Sequence, residues 1–188
     1  MPEMMWCYVY VDGQYVRSQL RRGGQSDEFD PRKPAVLVRN QRIAGVQLTP
    51  TRVFYYDAVD SEADEAEQER QKKYFDAVQR LPDTHVVLGE VRKGVKSREQ
   101  KGVDVQLAVD ALRVATSGVI RAVALVTGDA DFAPLARAIR EAFCYVLVIA
   151  FRSSLSDTLA READRLHVFD DVPQDWALPP PQRLSEPI

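Results

Sequence analysis

VALVTGDADFAPLARAIRE, residues 123–141, places an apolar run, an acidic turn and an amphipathic helix directly one after another. The run Ala122–Val126 contains no polar residue, which predicts a strand buried on both faces of a sheet. Asp129 and Asp131 follow it at once, and a helix is predicted over 132–143. Strands that alternate with helices form parallel sheets, and ligands bind beyond the carboxyl ends of such strands. This stretch therefore predicts an α/β fold and the edge of the sheet where a site would lie.

Short apolar runs alternate with helical patterns along the rest of the chain. The sequence predicts further strands at residues 6–11, 53–56, 86–91, 145–151 and 167–169, and helices at 14–22, 35–43, 61–81, 103–115 and 156–163. Ser61 is the predicted N-cap of the long third helix. The pattern favours a three-layer α/β fold in which helices flank a mostly parallel sheet. We expect residues 9–11, 124–126 and 147–149 in the buried centre of that sheet.

The length of 188 residues suits one domain with a tail. We expect the domain over residues 1–172 and a flexible or extended tail over 173–188, where five of the 11 prolines lie. No apolar run reaches the roughly 20 residues that span a bilayer, and the N-terminus lacks the pattern of a signal peptide. A cytoplasmic protein without membrane contact is therefore expected, with Cys7 and Cys144 as buried thiols rather than a disulfide.

The net charge of −3 argues against a uniformly basic nucleic-acid binder, but the charge is unevenly distributed. Residues 60–69 hold six acids and no base, whereas residues 92–101 hold five bases and one acid. A local basic patch can decide nucleic-acid binding even when the average charge is negative. We therefore expect the second segment to bind nucleic-acid phosphates beside the site, through Arg92, Lys93, Lys96, Arg98 and Lys101.

Aspartates lie where a parallel sheet would gather them. Asp12 ends the first strand, and Asp129 and Asp131 follow a central strand. Asp104 opens a helix just after the basic segment, whereas Asp110, six residues on, points about 120° away from it. Clustered carboxylates repel one another, and a bound divalent cation relieves this repulsion. Because the ligands would all be oxygens, the sequence predicts Mg²⁺ or Mn²⁺.

The sequence contains few candidates for other catalytic chemistry. It has no P-loop, dinucleotide-binding glycine motif, serine-hydrolase elbow or CxxC pair. Its two histidines, His85 and His167, border strands and are interpreted as structural. By elimination, a metal-activated water that attacks a phosphodiester is the best-supported reaction. Simpler roles remain open for the acids, since Asp131 could cap a helix, Asp104 could interact with a helix dipole and Asp110 could be a solvated ion-pair partner.

Four segments together resemble the NYN (LabA-like) branch of the PIN-like ribonucleases. They are VYVDGQYV at 9–16, KGVDVQLAVDAL at 101–112, VALVTGDADFAPLARAIRE at 123–141 and SDTLAREADRLHVFDD at 156–171. The resemblance extends over about residues 4–171, and the combination of KGVDVxLxxD with TGDADF makes it specific. It implies a PIN-like α/β fold, RNA as the substrate, and an acidic cluster that binds Mg²⁺ or Mn²⁺ for cleavage.

Carried over motif by motif, the resemblance also implies particular site residues. It implies that four acids are both catalytic and metal-binding, namely Asp12, Asp104, Asp129 and Asp131. Asp110 would be a fifth, outer metal-binding residue. The family's first motif often reads DGxN, whereas this chain has Tyr15 at the fourth position. Tyr15 is interpreted either as an aromatic that stacks on an RNA base or as a residue that packs in the core.

Two other functions fit parts of the pattern. A phosphatase of the haloacid dehalogenase type also has aspartates after strands, but it needs an acid where this chain has Gln14. A non-catalytic RNA-binding module with the same fold is favoured by Tyr15 and by the acidic net charge, and opposed by the five retained acids. The sequence therefore predicts a metal-dependent ribonuclease. It leaves open the RNA target, the choice between internal and terminal cleavage, and assembly into a homo-oligomer.

Overall fold

Strands in the described part of the chain form a single sheet, as the apolar runs predicted. The computed structural model describes residues 4–61, 63–93, 98–100, 102–171 and 173–178. Its strands are β1 (Met4–Asp12), β2 (Arg42–Ile43), β3 (Val46–Asp60), β4 (Thr84–Lys93), β5 (Arg98–Gln100), β6 (Ala122–Val126), β7 (Tyr145–Phe151) and β8 (Arg165–Phe169). The order across the sheet is β5-β4-β3-β1-β6-β7-β8, and β2 pairs with β3 beside this path.

Neighbouring strands run mostly in parallel. β1 pairs in parallel with β3 and β6, and parallel pairing continues to β4 on one side and to β7 and β8 on the other. β2 and β5 are antiparallel to β3 and β4, respectively. Residues 9–11, 124–126 and 147–149 are each at most 1% exposed. The predicted buried centre of a mostly parallel sheet is therefore confirmed.

Helices cover both faces of the sheet and give the three predicted layers. They are α1 (Gly13–Arg22), α2 (Lys33–Val38), α3 (Glu65–Gln79), α4 (Val103–Thr116), α5 (Ala133–Glu141) and α6 (Asp157–Arg161), with short 3-10 turns at Ala130–Phe132 and Arg152–Ser154. Residues of α1, α2 and α3 share one core with Val9 and Val11, whereas those of α4, α5 and α6 share the other with Tyr10. Cys7 and Cys144 are buried free thiols, as predicted. Among the described residues, no helix is long and apolar enough to cross a membrane.

Strand β3 is much longer than the four residues predicted at 53–56. Its first half pairs with β1 and with the short β2, and an irregular register beside Pro50 accommodates a residue that cannot donate a backbone hydrogen bond. The proline and the polar residues around it interrupt the apolar pattern, so the sequence does not predict this half of the strand. The helix predicted over 35–43 is also too long, because Arg42–Ile43 pairs as β2 and α2 ends at Val38.

The long third helix is confirmed, but it begins later than predicted. Ser61 is not its N-cap, because α3 starts at Glu65 and the side chain of Asp64 accepts the backbone N–H of Glu67 at 2.9 Å. Two glutamates then occupy the first turn, where the helix dipole favours negative charge. Asp64 and these glutamates together stabilise the N-terminal end of α3.

The beginning of the predicted tail is packed against the domain. Trp176 is 3% exposed and its ring contacts those of Phe29 and Phe169, with centroids 6.2 and 5.4 Å away. A buried tryptophan therefore fastens residues 173–178, the first part of the predicted flexible or extended tail, to the core. Residues 179–188 lie outside the described chain.

The strand order creates a switch point between β1 and β6. From β1 the sheet extends through β3 and β4 on one side, and through β6, β7 and β8 on the other. Connections leave such a point in opposite directions, which opens a crevice beyond the carboxyl ends of the two strands. Asp12 and the turn that follows Val126 lie at this crevice.

Candidate active site

A cleft of about 570 Å³ opens at this crevice. α1 forms one wall, and the turns after β6 and β7, with residues 128–130 and 154–156, form the other. Three aspartates line the cleft, namely Asp12, Asp104 and Asp129. They come from β1, from α4 and from the turn after β6, so the fold brings together side chains that are far apart in sequence.

Asp12 is the buried member of this set, with only 8% of its surface exposed. It caps α1, because one carboxylate oxygen accepts the backbone N–H of Tyr15 at 3.0 Å while the other accepts the Thr127 hydroxyl at 3.0 Å. Loss of hydration raises the pKa of Asp12 to about 7, and the negative charge of Asp104 adds to the effect. Within the described residues, no cationic side chain is paired with this carboxylate.

The turn after β6 presents two further aspartates. Asp129 accepts the backbone N–H of Asp131 at 3.0 Å and thereby caps the 3-10 turn, so the capping role considered for Asp131 belongs to Asp129. The N–H of Asp129 in turn donates to the Thr127 hydroxyl at 3.3 Å. That hydroxyl therefore connects Asp12 with Asp129. Both Asp129 and Asp131 are exposed, but only Asp129 lines the cleft.

Asp104 reaches the cleft from a separate helix. Gly102 precedes α4 with a φ of 90°, a left-handed conformation that glycine adopts without strain. Asp104 then lies in the first turn, where the helix dipole favours a carboxylate. Partial loss of hydration raises the pKa of Asp104, and the charges of Asp129 and Asp131 raise it further. These effects on pKa indicate that the cleft acids are close enough to repel one another.

Asp110 is engaged elsewhere. Its carboxylate accepts hydrogen bonds from the Tyr56 hydroxyl and the Gln106 amide at 2.9 Å each, and from the Arg113 guanidinium at 3.3 Å. It does not belong to the lining of the cleft. The structure thus does not bring Asp110 together with the cleft aspartates, and the role that fits its contacts is that of a hydrogen-bonded helix residue.

Tyr15 lines the cleft with its hydroxyl fully engaged. The hydroxyl oxygen accepts the Phe151 backbone N–H at 2.9 Å and lies 2.9 Å from the Ser154 hydroxyl. The two aromatic rings of Tyr15 and Phe151 pack with centroids 6.0 Å apart. These contacts brace α1 against the turn after β7, which agrees with the packing role predicted for Tyr15. Stacking on an RNA base stays a prediction.

The predicted basic segment falls largely outside the described residues. Lys96 and Lys101 lie outside them, as do the side chains of Arg92, Lys93 and Arg98. The backbone of the last three belongs to the antiparallel pair of β4 and β5 at the edge of the sheet. Phosphate binding by this segment stays a prediction.

The cleft acids suit a hard divalent cation in their chemistry, because every donor is a carboxylate oxygen. Burial, and then the charges of neighbouring acids, raise the pKa of Asp12 and of Asp104, and a bound cation would offset this cost of ionisation. In the part of the chain that the structure describes, however, no three histidine, cysteine or acidic side chains are already gathered around one metal position. The donor set therefore fits the ion, and side chains would have to rearrange to bind it.

The cleft also has an outer part that the sequence reasoning missed. Gln14, Ser18, Gln19 and Arg22 of α1 line it, together with Ser154 of the opposite wall. A signal was present in the sequence, because residues 14, 18 and 22 recur every four positions and so share one helical face. These side chains are polar and largely uncharged, so their composition alone does not indicate a site.

Comparison with known proteins identifies the class of domain. A parallel sheet with an acidic cleft at its switch point is the arrangement of a PIN-like nuclease domain. The chain matches the family model described as NYN domain over residues 7–170, and it therefore belongs to the NYN domain family.

A solved structure agrees with this fold. The chain is similar to a protein of unknown function from Vibrio parahaemolyticus, with a TM-score of 0.63 and 22% sequence identity over 89% of this chain and 94% of that one. At this level of identity the likeness concerns the fold alone. Comparison with curated proteins gives no match.

Proposed function

We propose that this chain is a divalent-metal-dependent ribonuclease that hydrolyses RNA phosphodiester bonds in the cleft. The observation that carries the proposal is Asp12, a buried carboxylate at the end of the central strand whose pKa is raised to about 7. A buried charge without a partner destabilises the fold, and such groups cluster at functional sites. In a NYN domain, a Mg²⁺ or Mn²⁺ ion is the partner that fits this carboxylate and the acids facing it.

The proposed roles of the acids follow from how each is held. Asp12 and Asp129 are fixed by backbone N–H groups and by Thr127, so they would anchor the ion. Asp104 and Asp131 are both exposed and would complete the set. A bound ion supplies an acidified water and neutralises charge on the scissile phosphate. No histidine or cysteine occurs among the described residues that line the cleft, which is consistent with hydrolysis without a side-chain nucleophile.

A non-catalytic RNA-binding module is the second candidate. Two observations favour it, namely the lack of a preassembled three-ligand metal position among the described residues and Tyr15 in place of the family's usual asparagine. Both candidates bind RNA in the same cleft, and they differ in whether the RNA is cut.

Cleavage of end-labelled single-stranded and hairpin RNAs with Mg²⁺ or Mn²⁺ tests the proposal. Asp12→Asn and Asp129→Asn should each lower the rate by at least about a hundredfold, because each removes a charge that would hold the ion. Asp76→Asn removes an exposed carboxylate on α3 and should cut like the wild type. Wild-type protein that binds RNA but cuts neither substrate would establish the non-catalytic module. Asp12→Asn protein that cuts at the wild-type rate would assign the activity to another site or a contaminant.

A further inference from the structure

We propose that the outer part of the cleft holds the sugar–phosphate backbone of the RNA strand beside the position where it is cut. We call this surface the α1 groove and define it by Gln14, Ser18 and Arg22 on one wall and Ser154 on the other. The inference rests on the proposed function and deepens it, because it specifies the surface along which the substrate leaves the acids.

The α1 groove has the length and direction that a strand requires. α1 begins directly after Asp12 and ends at Arg22, so ten helical residues carry the groove about 15 Å away from the buried acid. Gln14, Ser18 and Arg22 lie above one another on the same face of the helix. A single nucleotide at the acids would leave most of this length unused, whereas a strand of a few nucleotides would follow it.

The chemistry of the α1 groove suits a sugar–phosphate backbone. Amide, hydroxyl and guanidinium side chains provide most contacts to phosphates and sugars in nucleic-acid complexes, and these are the polar groups present. The acids that line the cleft are confined to its inner end, at Asp12, Asp104 and Asp129. Arg22 is exposed, and in the described chain its side chain has no hydrogen-bond or ion-pair partner. It is therefore available to a phosphate.

The two walls of the α1 groove are fastened together before any ligand binds. The Tyr15 hydroxyl lies 2.9 Å from that of Ser154. One helical turn further on, the amide of Gln19 donates to Ser18 at 3.4 Å and accepts the Ser153 hydroxyl at 3.3 Å. Gln19 is itself 4% exposed, so these contacts form the floor of the groove. A preformed groove lowers the entropy that is lost when a flexible strand binds.

The two ends of the cleft act oppositely on an RNA strand. The carboxylates at the inner end repel phosphates until a cation offsets their charge, whereas Arg22 attracts them without a cation. Binding measured in a chelator should therefore depend on the α1 groove and not on the acids, which gives a readout that is independent of cleavage.

Fluorescence anisotropy of a labelled single-stranded RNA, titrated in a chelator over a range of salt concentrations, tests the inference. Arg22→Ala should weaken binding about tenfold at low salt, because it removes one charged hydrogen bond to a phosphate. It should also lower the slope of log affinity against log salt by about one. Arg22→Lys should keep the slope, since it keeps the charge. Arg39→Ala is the matched control, because Arg39 is an exposed arginine beyond the C-terminal end of α2 and outside the cleft.

The outcomes separate this inference from the proposed nuclease activity. Equal affinities and slopes for Arg22→Ala and Arg39→Ala would overturn the α1 groove even if the wild-type protein cuts RNA. Arg22-dependent binding by a protein that does not cut RNA would uphold the groove and remove the nuclease proposal. Melting temperatures within about 2 °C of the wild type confirm that each variant is folded.

Discussion

Two buried aspartates lie side by side at the carboxyl edge of the sheet, and their surroundings differ. Asp12 ends β1 opposite Tyr56 of β3, and Asp57 is the next residue along β3. Asp57 is 2% exposed and Asp12 is 8% exposed, and burial raises the pKa of both. Asp57, however, is paired with the guanidinium of Arg17 at 3.3 Å, whereas Asp12 faces further carboxylates.

The surroundings of Asp57 form a closed network of charges. Arg17, itself 7% exposed, also lies 3.0 Å from Asp27, and its guanidinium stacks over the ring of Tyr74 with 5.4 Å to the centroid. Burial raises the pKa of Asp27, but hydrogen bonds and charges from Arg70 and Arg17 outweigh it and lower that pKa to about 2. Here every buried carboxylate has a cation, which is the condition for burying charge at tolerable cost.

The contrast separates acids that stabilise the fold from acids that are proposed to bind a cation, at the same edge of one sheet. A carboxylate that the chain itself neutralises, such as Asp57, belongs to the fold. A carboxylate that the described chain holds in place but leaves unneutralised, such as Asp12, is available for an external cation. Substitutions on the two sides should therefore change stability in opposite directions.

The largest effect is expected from Arg17→Met, which leaves Asp27 and Asp57 buried without their shared cation. We expect a loss of about 3–5 kcal/mol in the free energy of unfolding, measured by urea denaturation. Arg21→Met is the matched control, because Arg21 contacts the same Asp27 at 2.7 Å but its side chain is 55% exposed. It should cost less than about 1 kcal/mol. Similar losses for both variants would show that burial does not decide the contribution of these ion pairs.

Asp12→Asn is expected to stabilise the protein, because it removes the unneutralised charge and keeps the shape of the side chain. The new amide can still accept the Tyr15 N–H, and its NH₂ can donate to Thr127. We expect the free energy of unfolding at pH 8, without divalent cations, to rise by about 2–4 kcal/mol, given a folded pKa of about 7 and an ordinary unfolded value.

The pH dependence gives a second test of Asp12. Its pKa is higher in the folded than in the unfolded state, so the folded protein binds more protons between about pH 4 and pH 7. The wild type should therefore lose stability as pH rises through this window, and the gain from Asp12→Asn should grow over the same range. A gain that is equal at pH 4 and pH 8 would contradict a raised pKa at Asp12.

The smallest effect is expected from Asp110→Asn. The amide oxygen of the new asparagine can keep the hydrogen bond with Tyr56. The ion pair with Arg113 is lost, but the Arg113 side chain is largely exposed to solvent. We expect a loss of at most about 1 kcal/mol in stability and cleavage within a few-fold of the wild type. Loss of cleavage comparable to that of Asp12→Asn would instead return Asp110 to the metal-binding set.

The central strands could be predicted because they are buried on both faces. β6 and β7 agree with the sequence pattern at both ends, since no polar residue interrupts either run. The first half of β3 could not be predicted, because Pro50 and its polar neighbours lie in an irregular edge that only pairing with β1 and β2 stabilises. Local patterns report burial, and they do not report partners that are distant in sequence.

The candidate site likewise contains features that local sequence patterns predict and features that they do not. Asp12 and Asp129 could be placed at one edge because both follow strands, a property that the sequence displays directly. The neutralisation of Asp57 by Arg17 joins residues 40 positions apart, and no local pattern indicates it. The separation of Asp110 from the cleft depends likewise on a hydroxyl from Tyr56, 54 positions away.

Gly128 determines how wide the cleft can be. A β-carbon at this position would meet the Ser154 carbonyl and would lie 2.7 Å from the Tyr15 hydroxyl. The backbone of Gly128 also accepts the N–H of Ser156 at 2.9 Å. The single hydrogen atom of Gly128 thus lets the turn after β6 lie close both to the turn after β7 and to Tyr15 of α1. The width of the cleft at this point therefore depends on the smallest residue in the chain.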